Sequence, residues 1–419
     1  MIGGGLAGMA ASLHLAKAGL RVVCIEPETE VRQPVGESLD WASPALLGAL
    51  GLPLEDLIDS GIATYKRGVT LQLGGRAAIE FRPAAWVAQR PFHVVLHTIH
   101  VDRMRLDREL QDLTLRQGVT VIHDKALTVD KAGKRITSIQ TASGACFTSP
   151  WFIDASGSFT SLLARAFDLP SVAYGPRKVC LWAYFAAPQA HEGTSIYMNA
   201  APGEYQDWIW EIPIGTNMLS VGYVTTGEAV KKERDRGLTV DDIFRRQLAR
   251  FPRLAAMSRQ EAGCAPKVTS FSCRTYRGVS GPNWVIVGEA ASMVDPITSN
   301  GVTSALRHAE EAAALVVASK GKSEIPSIAG KLYNARVLQT GRFFNSGIET
   351  LVYDWQVRDR WGMQRAATIY TGAAWSINGL YARWRPRGVL STAAFGALLD
   401  ILRACAWLLC KLCGFSSRR

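Results

Sequence analysis

The residues closest to a chemical unit lie in Asp207-Trp208-Ile209-Trp210-Glu211-Ile212-Pro213. Alternation along a strand sets Trp208 and Trp210 on one face, a flat aromatic wall for a ring-shaped ligand. Acids that could hand a proton to such a ligand are Glu211 and Glu37, with His93 or His97 from an apolar stretch between them. His93 and His97 share one strand face and His100 takes the other, so a three-ligand metal site is not expected. Metal chemistry is not part of this reading.

A second set of residues has the spacing of a phosphate cradle. Gly3, Gly5 and Gly8 stand in GxGxxG order, with Leu6 and Ala7 between the last two. A helical stretch and the apolar run Val22–Ile25 follow, ending on Glu26. The first glycine permits a tight turn, the second lets the backbone approach a pyrophosphate, and the third lets helix and strand pack closely. The helix N-terminus offers unpaired N–H groups to phosphate, and Glu26 can accept bonds from a ribose. Only Met1 and Ile2 precede the glycines, where the motif requires a strand. The natural reading frame is therefore expected to begin upstream, because a missing central strand is hard to tolerate.

These residues must be held by a mixed architecture. Val119–Ile122 and Trp284–Val287 read as buried strands, 126–152 as a meander, and Lys178–Val224 as an aromatic-rich second sheet. Ser43–Leu52, 101–117, Thr239–Arg250 and Gly301–Val317 read as helices, and the chain from about 327 as helical to its end. Hydrophobic residues make up 48% and charged residues 20% of 419, enough for two intimately packed domains. The eight cysteines are scattered, so nothing points to an oxidising compartment, and the expected location is cytoplasmic. The net charge of +11 comes without a long basic run, which excludes a nucleic-acid binder. Arginines flank the apolar 388–415 instead. That segment is too interrupted to span a bilayer and is read as a peripheral contact with the inner face of the membrane.

Taken in order, five blocks resemble the two-dinucleotide-motif flavoproteins of the aromatic hydroxylase superfamily, with a closer likeness to the flavin-dependent halogenase-like branch. They are the glycine motif with Glu26, then Gly36-Glu37-Ser38, Arg103 in Val101-Asp-Arg-Met-Arg-Leu-Asp107, Asp154-Ala155-Ser156-Gly157, and Gly288-Glu289 running to Asp295-Pro296 and Ser299-Asn300-Gly301-Val302. The resemblance implies an α/β fold. A Rossmann-like FAD-binding domain of the glutathione-reductase type (1–63, 101–170 and 271–326) would interleave with a mixed β-sheet substrate domain (64–100 and 171–270). A helical C-terminal region (327–419) would follow. It also implies FAD as cofactor, held by the residues of those blocks, with Glu289 standing where the family usually has Asp.

Trp208 and Trp210 match the family's WxWxIP motif. The family's halogenases also carry a catalytic lysine, which the resemblance places in the helix after the Gly-Glu turn. That helix has none here, and the next lysine is Lys66. The expected activity is therefore that of an FAD-dependent oxidoreductase, with a monooxygenase acting through a flavin C4a-hydroperoxide on an aromatic or electron-rich substrate favoured. Alternatives are a halogenase lacking the usual lysine, a geranylgeranyl-reductase-like lipid oxidoreductase, and a non-catalytic partner-binding flavoprotein. NAD(P)H or a separate flavin reductase would supply electrons, and the substrate would be a small molecule or carried on a protein.

Overall fold

The computed structural model describes all residues except 31–33, 74–77, 83–84, 86–87, 90–94, 159–160, 187–191, 199–203, 216, 260–264, 355–387 and 417–419. His93 and the arginines around 383–387 and at 418–419 lie outside the described residues.

The nucleotide-binding half is built on parallel pairing. Thr120–Ile122 pairs with Val23–Ile25, and Phe152–Asp154 pairs with Trp284–Ile286. Ile2 joins the two pairs, forming parallel bridges to both Ile25 and Asp154. Met1 and Ile2 thus take the central position that the glycine motif requires, where the sequence had left a strand in doubt. Phe152–Asp154 and Trp284–Ile286 are buried throughout because both faces are covered, whereas Val23 and Thr120 at the start of the first pair are exposed. Helices Leu6–Lys17, Arg103–Arg116 and Gly301–Ala318 supply the cover, through Leu13, Leu106, Leu110 and Leu306. Asp102 caps the second of these by accepting a bond from the Arg105 N–H, which ends the preceding strand and starts the helix in one step.

The other half is an eight-stranded mixed sheet, mostly antiparallel. Its long strand Ser171–Ala186 pairs with Met218–Thr226 on one side and Lys267–Tyr276 on the other. Pairing of Ser171 with Tyr276 keeps the chain in this sheet through Tyr276. A three-stranded sheet of Ser38–Leu39, Ile99–Val101 and Ala63–Tyr65 lies between the halves.

Trp208–Ile214 is buried along its whole length because the sheet is covered on both faces. Trp208, Trp210 and Ile212 pack on one side with Trp182, Phe271, Phe343 and Phe395. Ile209 points to the other side, among Leu181, Phe185 and Phe244 of the covering helix Val240–Leu248. Helix Ser327–Ile348 lies over the first of these faces, and helix Val389–Ser416 packs on it through Phe395 and Leu399 while leaving Leu390, Ile401 and Leu408 exposed. No helix among the described residues is long and apolar enough to cross a membrane.

Trp210 is seated by a missing side chain. It is paired across the ladder with Gly222, where a Cβ would stand 2.2 Å from the indole ring. Gly222→Ala is expected to displace Trp210 and to cost about 1–3 kcal/mol of stability as an overpacking change. Denaturant titration followed by tryptophan fluorescence reads both effects.

Candidate functional site

A chamber of about 570 Å³ opens between the two halves. At one end lie Gly4, Gly5, Leu6, Glu26, Arg103, Gly157 and Glu289, and at the other Trp182, Trp208, Trp210, Ile212 and Phe271. Glu37 and Ser38 line it between these ends, with Ser299, Gly301 and Val302 along the opposite wall.

The glycine turn is tight for a steric reason. A Cβ on Gly8 would meet the Gly3 carbonyl oxygen at 1.9 Å, whereas one on Gly5 would meet nothing within 4 Å. The first packing fixes the turn and the second leaves backbone facing the chamber. Helix Leu6–Lys17 starts there with no side-chain cap and no acid in its first turn, and helix Gly301–Ala318 does the same on the opposite wall. Two helix N-termini therefore present unpaired N–H groups and partial positive charge to one space, which suits a diphosphate and an electron-rich ring. Glu26 accepts the Gly4 N–H and, at 3.0 Å, the Glu28 N–H, holding the turn while lining the chamber. Arg103 is gripped by Asp107 at 2.9 and 3.0 Å and donates to the Val35 carbonyl at 3.0 Å. Burial opposes its charge, but the Asp107 carboxylate outweighs burial and raises its pKa. Enclosure pushes the Glu289 carboxyl upward, against the pull of Ser158 and Arg103. An enclosed carboxyl with a weakened charge suits hydroxyl groups as partners better than a phosphate. These residues fit FAD.

Other expected cofactor residues act one layer back. Asp154 is fully buried and accepts from the Ser156 and Leu163 N–H groups, so it shapes the second turn without lining the chamber. Gly288 has φ +60°, and a Cβ there would press on Ala7 at 2.8 Å. Ala155 and Pro296 line the chamber, while Asn300 is buried behind it, its amide donating to Ser304.

Asp295 belongs to a different cluster. Lys178, fully buried, donates to Asp295 at 2.8 Å and Glu349 at 2.5 Å, and its Nζ lies 4.1 Å from the centre of the Tyr353 ring. Tyr353 donates to Asp295 and accepts from the Trp208 indole N–H at 2.8 Å.

The candidate catalytic residues separate. Glu37 is buried and lines the chamber, accepting from Tyr184 at 2.8 Å, Ser220 at 3.2 Å and the Gly36 N–H at 3.0 Å. Trp210 donates to Ser220 at 3.0 Å, which ties the aromatic wall to Glu37. Glu211 does not reach the chamber. Strand alternation turns it to the far face, where it pairs with Arg253 at 2.8 Å and accepts from Tyr197 at 2.5 Å. His97 sits beside the Tyr65 ring, away from the chamber lining.

The expectation that no amine is positioned is corrected. Lys66 is buried at 5% exposure, between Ala63–Tyr65 and Gly68–Leu73, and its Nζ donates to the chamber-lining Ser38 at 2.9 Å. Burial pushes its pKa down to about 8, with the Asp40 carboxylate pulling the other way. The lysine was sought in the helix after Ser38, but a short strand crossing brings it in from a later segment. The sequence signal available was a lysine between two strand-like runs, just before a glycine.

The tryptophan halogenase family model matches residues 75–378, and the FAD-binding domain model matches residues 1–67. FAD is the cofactor of this fold. A tryptophan 2-halogenase of Chondromyces crocatus is 25% identical over 327 residues, covering 75% of this chain and 60% of that protein. The chain thus spans about three fifths of that relative's length. A 1H-pyrrole-2-carbonyl-[peptidyl-carrier protein] chlorinase of Pseudomonas fluorescens is 26% identical over 355 residues, covering 76% of this chain and 75% of that protein. Among solved structures, a triple mutant of the flavin-dependent brominase Bmp2 superposes with a TM-score of 0.75 at 20% identity, over 95% of this chain and 97% of that one. That likeness supports the fold.

Replacing Lys178 by Met should remove its ammonium from between Asp295 and Glu349, at a cost of about 3–5 kcal/mol. Burial already raises the Glu349 pKa, and loss of Lys178 removes the main opposing pull. A group with a raised folded pKa stabilises when protonated and loses that contribution as pH rises, so the deficit should be larger at about pH 8 than at about pH 5. Thermal denaturation at the two pH values measures this.

Proposed function

The chain belongs to the tryptophan halogenase family, and from that premise we propose that it is an FAD-dependent halogenase acting on an electron-rich ring. The halogenases named above support this reading over hydroxylation, and the observation that carries it is Lys66. A buried amine with a pKa near 8 stands one hydroxyl behind the wall of the chamber. FAD, when bound, supplies the oxidising equivalents that convert halide to hypohalous acid.

The residues of the chain then have separate tasks. Trp208 and Trp210 wall the chamber and exclude water. Lys66 as a neutral amine displaces hydroxide from halogen, R–NH₂ + HOX → R–NHX + H₂O, and so keeps the oxidant from diffusing away. Transfer to the ring breaks the N–X bond and forms C–X, R–NHX + ArH → R–NH₂ + ArX, with Glu37 on the chamber wall taking the ring proton and passing it on to the nitrogen. Electrons are assigned to a separate flavin reductase using NAD(P)H. A carrier-bound ring is the substrate class favoured, from the likeness to the pyrrolyl-carrier chlorinase. The location proposed is cytoplasmic, with the exposed Leu390, Ile401 and Leu408 available to a membrane surface.

The test is turnover with FAD, a flavin reductase, NADH and bromide on free and carrier-tethered pyrroles, phenols and indoles, followed by mass spectrometry for the bromine isotope pair. Lys66→Met should retain FAD and lower halogenation by roughly a hundredfold or more. Incorporation of oxygen from O₂ without halide, unchanged in Lys66→Met, would instead establish the hydroxylase reading.

A further inference from the structure

We propose that Ser38, Thr194 and His100 form a closed proton path that takes a proton from Lys66 and returns it within each turnover. The proposal deepens the reading of Lys66 as the halogen-accepting amine and rests on it.

Hydrogen-bond accounting orients the first links of the path, and the His100 tautomer completes it. Ser38 Oγ accepts from Lys66 Nζ at 2.9 Å and from Ser299 Oγ at 3.2 Å. A hydroxyl has two acceptor sites and one proton, so the Ser38 proton must go to its remaining neighbour, Thr194 Oγ1 at 3.1 Å. Thr194 has then accepted, and the path assigns its own proton to His100 Nε2 at 2.9 Å. In that tautomer His100 presents the lone pair of Nε2 to Thr194 and carries its proton on Nδ1. Every link is polarised the same way, from amine to imidazole, so a proton entering at Ser38 leaves at Thr194 without either side chain turning.

The fold builds this chain from distant segments. Ser38 and His100 are paired across two short strands, and Thr194 reaches both from the strand Gly193–Met198 of the large sheet. Ser299 is held at φ +57°, a backbone state that costs a non-glycine residue energy, and its hydroxyl points at Ser38. All four members of the path are buried, Lys66 and Ser38 at 5% exposure, Thr194 at 4% and His100 at 1%. A lysine so enclosed exchanges its proton slowly with bulk water, and the Asp40 carboxylate favours its ammonium form. At neutral pH the amine needs a nearby acceptor to become nucleophilic, and an imidazole matches that task.

The balance closes over two steps. In the first, R–NH₃⁺ + HOX + His → R–NHX + H₂O + HisH⁺, in which the N–X bond forms, O–X breaks and His100 stores the proton. In the second, R–NHX + ArH + HisH⁺ → R–NH₃⁺ + ArX + His, in which C–X forms and N–X breaks. His100 returns its proton to the amine, and the ring proton completes the ammonium.

The experiment separates this path from the reading it rests on. FAD-loaded protein without substrate is mixed with one equivalent of hypochlorite, and chloramine at Lys66 is followed by rapid quench and peptide mass spectrometry. Wild type should chlorinate Lys66, and Thr194→Val and His100→Phe should do so roughly a hundredfold more slowly near pH 6.5, the low end for a placed proton acceptor. Thr194→Ser should restore the rate. Near pH 9.5, above the lysine pKa of about 8, all variants should converge on wild type because the amine is neutral without help. Chloramine absent from Lys66 in wild type overturns the assignment of the amine and the path with it. Wild-type rates in both path variants near pH 6.5, with Lys66 still chlorinated, overturn the path alone, and retained FAD absorbance in each variant shows that it is folded.

Discussion

One buried cation holds together the parts that enclose the chamber. Lys178 comes from the large sheet, Asp295 from the turn that leads into helix Gly301–Ala318, and Glu349 from the end of helix Ser327–Ile348. Asn345 of the same helix adds neutral bonds, accepting the Asp295 N–H and donating to the Met293 carbonyl. Through Tyr353 the cluster also fixes the Trp208 indole. A salt bridge at this depth contributes little net stability, because desolvation offsets its attraction, but it tolerates few alternative arrangements. The position of Trp208 relative to the Asp295–Ser299 turn is thereby set by electrostatics, with apolar packing filling in around it.

The chamber has a polarity that follows from backbone geometry. Two uncapped helix N-termini give the dinucleotide end and its opposite wall partial positive charge, and Arg103 adds a full one that Asp107 and two carbonyls hold still. The far end is walled by Trp182, Trp208, Trp210 and Phe271. Glu37 and the Ser38 hydroxyl stand at the junction, each on a short strand or turn between the halves, so polar chemistry is confined to a band between a charged and an apolar region. Low dielectric in that band strengthens every interaction made there.

Alternation decides which groups share that band. In the strand Trp208–Ile214, one residue of offset separates an aromatic wall from the buried Glu211, which pairs with an exposed Arg253 on the back of the sheet. The same sheet brings Thr194 to the Ser38 and His100 strands, so a single layer carries wall, anchor and hydroxyl relay.

Local spacing in the sequence was enough to read the glycine turn with Glu26, the helix beginning at Gly301, the Asp295-Pro296 turn, and the shared face of Trp208 and Trp210. Each depends on contacts within a few residues, where glycine sterics, capping and period-two alternation operate. The α/β class and the FAD-binding reading followed from their order. Tertiary structure alone decided the rest. Lys66 stands one hydroxyl behind the chamber wall because its segment crosses behind Ser38, and its lowered pKa is a property of enclosure, which spacing does not encode. Glu211 read as an acid near the site because its partner Arg253 lies 42 residues away. Lys178 meets Asp295 and Glu349 across separations of 117 and 171 residues. Ile2 takes the position between the two parallel pairs because two neighbours, Ile25 and Asp154, bridge to it. Periodicity reports which face a residue takes, and only the packing of distant segments determines what that face meets.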